Sequence, residues 1–110
     1  MSMSKTFTMP TTEELMRRLS QVDMGANDYM REQFYPLIAS EGGCELVAAG
    51  LVTMLTLKIN DFVRSGYPPA MEEILHMYVP QIIDAIVDDP EVAKEAKRLH
   101  QETMDATRKG

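Results

Sequence analysis

One cysteine in 110 residues, Cys44, excludes an internal disulfide framework and a cysteine-based metal cluster. Basic charge is scarce. Eleven Lys and Arg stand against seventeen Asp and Glu, a formal charge of −6 with histidine neutral. Such a chain repels phosphate backbones, and no basic stripe with interleaved aromatics offsets the repulsion, so no direct nucleic-acid binding is expected. Long apolar runs are missing as well. The longest, Leu46 to Leu57, is interrupted by Gly50, Thr53 and Thr56 and falls short of the ~20 residues a membrane span needs. There is no low-complexity tract and no convincing internal repeat. Residues 1–10 lack the apolar centre of a secretory signal and read as a flexible N-terminal arm. A reducing, cytoplasmic setting is expected from the single thiol, with no cofactor.

What is present is an ordinary globular balance, 45% hydrophobic and 25% charged, arranged with helical periodicity. Thr11, followed three residues on by Glu14, fits a capping box, and Leu15, Leu19 and Val22 mark one helical face ending near Gly25. Asn27-Asp28 opens a second segment with Met30, Phe34, Leu37 and Ile38 on one face, interrupted at Pro36 and closed by Gly42-Gly43. The third, about 44–64, is apolar on nearly every side in its first half, which suits a central helix. Gly66 and Pro68-Pro69 stop it. The fourth carries Met71, Ile74, Leu75, Tyr78, Ile82, Ala85 and Ile86 on one face. Pro80 is expected to divide it into short helices over 69–78 and 80–87. Asp89-Pro90-Glu91 starts the last, with Asp89 as N-cap, a thin stripe of Val92, Ala96 and Leu99, and charge pairs at Arg98/Glu102 and Asp105/Lys109. The expected fold is all-α: a compact bundle of five to six helices around the apolar helix at about 44–64, with proline breaks near 36 and 80. It forms a single domain over 11–110 whose last few residues fray.

Chemistry-bearing constellations are few. The acidic pairs Glu13-Glu14, Glu72-Glu73 and Asp88-Asp89 all fall at helix N-termini, where carboxylates complement the dipole. His76 and His100 stand in no zinc-binding spacing. His76, with Glu72 and Glu73 one turn earlier, reads as a surface histidine near carboxylates, and His100 as solvent-exposed. Cys44 reads as buried and inert. Its place near a helix N-terminus keeps a thiolate role as the weaker alternative. Gly42-Gly43 lacks the lysine and further glycines of a phosphate loop.

No catalytic residue and no metal ligand set is therefore assigned. The expectation is a non-enzymatic protein that binds another protein, as an inhibitor or regulator of a larger complex. By composition it is analogous to the small acidic helical proteins with which phages inhibit host defence. The expected partner-binding surface is Tyr67, Met71, Glu72, Glu73, His76, Met77 and Tyr78. Met and Tyr suit interface cores, and the acidic pair suits a basic partner. A homodimer is expected along the small and polar stripe Ala49, Thr53, Thr56, Asn60 and Arg64, because the central helix is apolar on more sides than its short neighbours cover. The alternative is a small-molecule-binding protein with sites at a helical oligomer interface. An enzyme using Cys44 or a His76–carboxylate group ranks third.

Overall fold

The computed structural model describes residues 5–23 and 28–109. Five helices carry the fold: α1 (Thr12–Leu19), α2 (Asp28–Ala39), α3 (Ala48–Arg64), α4 (Ala70–Ile86) and α5 (Pro90–Lys109). Two short strands, β1 (Phe7–Thr8) and β2 (Glu45–Leu46), pair antiparallel, with Phe7 opposite Leu46 and Thr8 opposite Glu45. Helix α3 lies at the centre and packs against α2, α4 and α5, so the expected all-α bundle around an apolar helix is what forms.

Local chemistry accounts for the ends. Thr11 caps α1, its side-chain oxygen accepting from the Glu14 amide. The reciprocal half of the capping box is absent, because the Glu14 carboxylate turns to Arg17 and Arg18 instead. Leu15, Leu19 and Val22 are buried, as their spacing requires. Helix α1 ends at Leu19, and Gly25 and Asn27 lie outside the described residues. Gly66 takes a left-handed φ of 110° after the Ser65 C-cap. Asp89 accepts from the Glu91 amide at 2.9 Å to open α5, which runs on to Lys109.

Four expectations are corrected. Segment 44–64 is not one helix: residues 45–46 form β2, Val47 is an extended N-cap, and α3 starts at Ala48. The reason lies in the N-terminal segment expected as a flexible arm. Its described residues 5–10 include β1, and the Met9 amide donates to the Cys44 carbonyl at 2.8 Å. Met9 itself is fully buried. A strand partner for 45–46 competes successfully with another helical turn.

Nor do the prolines break their helices. Pro36 lies inside α2 and Pro80 inside α4. Each removes one backbone donor, at a cost of about 3 kcal/mol. Around Pro80, however, Leu75 and Val79 on one side and Ile82, Ile83 and Ile86 on the other are buried in the same core. Burying each such side chain stabilises by about 1.5–3 kcal/mol, so packing on both sides outweighs the lost bond and holds one helix.

The third and fourth corrections concern Cys44 and His100. Cys44 is exposed, in the turn before β2, because the strand displaces the helix start. His100 is buried, only 5% exposed. At Gly42 a side chain would meet the Thr12 backbone nitrogen at 2.6 Å, so this turn can approach α1 only as glycine.

Candidate functional site

The expected binding residues divide into two groups in the structure. Tyr67 stacks on Phe62 with ring centroids 3.9 Å apart, and Phe62 meets Phe34 edge-on at 5.5 Å. Tyr67, Met71 and Tyr78 are partly buried against the core; these three mainly line the interior. Glu73 and Met77 are exposed, and Glu72 and His76 are half-buried. Ile74, absent from the expected set, is 39% exposed, and Met77 is 73% exposed. Three residues apart on α4, they share a face, opposite the buried Leu75, Val79 and Ile82.

Beside that face, α4 and α5 enclose a cleft of ≈ 270 Å³ lined by Glu73, His76, Met77, Pro80, His100, Gln101 and Met104. Within it His76 Nδ1 and His100 Nε2 are 3.1 Å apart, within hydrogen-bonding range. The ring planes differ by 20° and the centroids by 5.3 Å. That separation is too wide for face-to-face contact and fits two rings meeting edge to edge through an N–H···N bond. One nitrogen donates and the other accepts, so the two facing nitrogens share a single proton. Burial pushes His76 below the ordinary imidazole value, against an opposing pull from Glu72. His100 is lowered by burial first and by His76 second.

The sequence does contain the signal for His100 that its polar letter obscures. Val92, Ala96 and His100 recur at four-residue spacing, so the histidine continues the buried stripe of α5. Its pairing with His76, across the α4–α5 turn, has no counterpart in the spacing of the letters.

Elsewhere, Cys44 Sγ lies 3.7 Å from Glu41 Oε2, while the imidazole of His76 is engaged with His100. Among the described residues, no group of three or more His, Cys, Asp or Glu side chains is placed to hold a metal ion, and no helix is long and apolar enough to cross a membrane. Tyr35 is buried against Phe34, with its hydroxyl unpartnered among the described residues and pushed up to about 12 by burial. The seam residues lie along the outer side of α3. Ala49, Thr53 and Arg64 are exposed, and Thr56 and Asn60 half-buried. The Thr56 hydroxyl is satisfied by the Val52 carbonyl of its own helix.

No family model, characterised protein or solved structure matches the chain.

A third feature positions α4. Arg18 of α1 donates to the carbonyls of Ala85 and Ile86 at 3.4 and 3.2 Å, and through two nitrogens to Asp88 at 3.1 and 3.2 Å. A cation at the last carbonyls of a helix complements the negative end of its dipole. Lys97 of α5 adds a bridge to Asp84 of α4 at 2.9 Å.

Proposed function

We propose that the chain is a non-enzymatic cytoplasmic binding protein that engages another protein through the outer face of α4, as an inhibitor or regulator of a larger complex. The observation that carries this reading is the exposure of Ile74 and Met77 on adjacent turns of a helix whose opposite face is core. Large apolar side chains grouped on one face have a use in recognition more often than isolated ones do. Methionine adapts its shape to a partner at small cost. Glu72 and Glu73, in the first turn of the same helix, favour a basic partner and speed its approach. The Arg18 clamp and the bridge from Lys97 fix the C-terminal end of the same helix, and a helix anchored at one end loses less freedom on docking.

The test compares capture of partners by the wild type with capture by Met77→Asp and Leu57→Asp. A partner lost with Met77→Asp and retained with Leu57→Asp supports the α4 face; retention by both removes it. With a partner in hand, Glu72→Lys combined with Glu73→Lys is expected to slow association with little effect on dissociation.

Self-association is a second reading with its own observation. Leu57 is 57% exposed on α3, beside a shallow cleft lined by Gly50, Thr53, Met54, Lys58 and Asp61. A homodimer through this side, with Ala49, Thr53 and Asn60 allowing close approach, would cover it. Light scattering at high micromolar concentration decides: a dimer that Leu57→Asp dissociates supports the reading, and a monomer removes it. The small-molecule alternative would use this same side of α3, where the cleft beside Leu57 has ≈ 420 Å³, within the roughly 300–1,000 Å³ of ligand pockets, whereas the α4–α5 cleft of ≈ 270 Å³ falls below it.

A further inference from the structure

We propose that the His76–His100 pair is a proton-operated lock between α4 and α5, closed while the pair carries at most one proton and released when it takes up a second. The lock stands on geometry. The two imidazoles come from different helices and face each other at 3.1 Å. A neutral pair makes an N–H···N bond. A singly protonated pair keeps the same bond, with the cost of burying its charge opposing the gain from charge assistance. A doubly protonated pair has a proton on both facing nitrogens and no acceptor between them. Two like charges are then in contact, inside a cleft that shields them poorly from each other. The only relief is for the rings, and the helix faces that carry them, to separate.

Surrounding charges do not cancel this. On α4, Glu72 acts on His76 and favours its first proton, and Glu73 lines the cleft as its only charged residue. On α5, Gln101 and Met104 line the cleft without charge, and Lys97, one turn before His100, is paired with Asp84. On α3, which packs against both helices, Lys58 is bound to Glu41, Asp61 lines the separate cleft around Leu57, and Arg64 is exposed at the helix end. From α1, Arg18 reaches only the far end of α4, where it is held by Asp88. Among the described residues no carboxylate acts on His100, which feels burial and the charge of His76.

The direction of the pH effect follows. The unfolded chain protonates both imidazoles as pH falls through about 6.5. The folded pair, with both groups lowered, holds fewer protons. The lock's contribution is full above about pH 6.5 and declines as pH falls towards the lowered folded values. The folding constant drops by up to about tenfold per pH unit for each proton the folded pair refuses. Glu14 and Glu41, both lowered by basic partners, begin to matter only near the unfolded carboxylate value of about 4.3. The window from pH 7.5 to 5 therefore isolates the histidines.

The test is the melting temperature across that window for the wild type and for His76→Asn combined with His100→Gln. Those amides can replace Nδ1 and Nε2 and keep a hydrogen bond, but they do not titrate. The expected result is a melting temperature that falls with pH in the wild type and stays level in the double variant. A level wild type, or a double variant that falls as steeply, overturns the lock. Should the double variant not fold, nitrogen NMR of the wild-type imidazoles gives the answer. Two steps are expected, the second well below 6.5. Two independent titrations near 6.5 overturn the proposal.

Discussion

At its C-terminal end helix α4 is gripped by Arg18, a guanidinium that stays charged at any pH the protein meets, while halfway along it is joined to α5 by two imidazoles that hold together only while short of protons. The first contact collects four acceptors around one cation: two carbonyls, Asp88 and, from its own helix, Glu14. The second has one hydrogen bond and a proton to share. Both tie α4 to a neighbour. Only the second can be undone by a change within the physiological pH range, because histidine alone has an unperturbed value there. A single helix thus has a fixed end and a conditional middle, and the exposed Ile74 and Met77 lie on the conditional side.

Both ties are expected to be secondary to the core. Ile82, fully buried between them, tests that. Ile82→Ala is expected to cost about 2–5 kcal/mol, equally at pH 7.5 and 5.5, in urea unfolding. A smaller loss than that of Arg18→Met would make the polar ties the main support of α4.

Arg18→Met is expected to cost about 2 kcal/mol, since it leaves two helix-terminal carbonyls and Asp88 without their donor. This loss should be the same at pH 7.5 and 5.5. Combined with the His76→Asn/His100→Gln variant, it should add within about 0.5 kcal/mol, as separate sites do. A strong interaction between them would mean that fixed end and conditional middle move as one.

Acid sharpens the contrast from the other side. Glu14 is held down to about 2, by Arg17 first and Arg18 second. Its folded value lies below its unfolded one, so its contribution is present above about pH 4.3 and is lost as pH falls towards 2. Glu14→Gln should therefore flatten the unfolding curve between pH 4 and 2 and leave the range from 7.5 to 5 unchanged. A change in the upper range would place the titrating group at the clamp instead of the histidine pair.

The smallest effect is expected at Met77. Met77→Ser should change stability by less than about 0.5 kcal/mol, as exposed substitutions do, while weakening partner binding. A larger loss in thermal unfolding would make Met77 part of the packing, as Met71 is.

Much of the fold is legible in the letters because local rules and burial agree. The Thr11 and Asp89 caps, the Gly66 terminus and the Leu15–Leu19–Val22 face each depend on neighbours a few residues away. The failures share one cause. Where α3 begins depends on Phe7–Thr8 pairing with 45–46, almost forty residues away, and helical periodicity does not register a distant strand. Pro36 and Pro80 each carry a local penalty against helix that burial on both flanks exceeds.

The candidate site divides in the same way. Sequence placed Met77, Glu73 and His76 on one short stretch of a helix, because three-residue and four-residue spacing is enough to say which side chains share a face. It could not say that Tyr67 would lie on Phe62 or that Ile74 would be left outside, since both depend on where α4 crosses its neighbours. Least of all could it join His76 to His100. The sequence by itself determined an all-α chain, its helix faces and its acidic surface, because those follow from periodicity and composition. The meeting of two imidazoles at 3.1 Å was decided only when the turn at 87–89 brought α5 back along α4, a contact between residues 24 apart in the chain, beyond the reach of any local spacing rule.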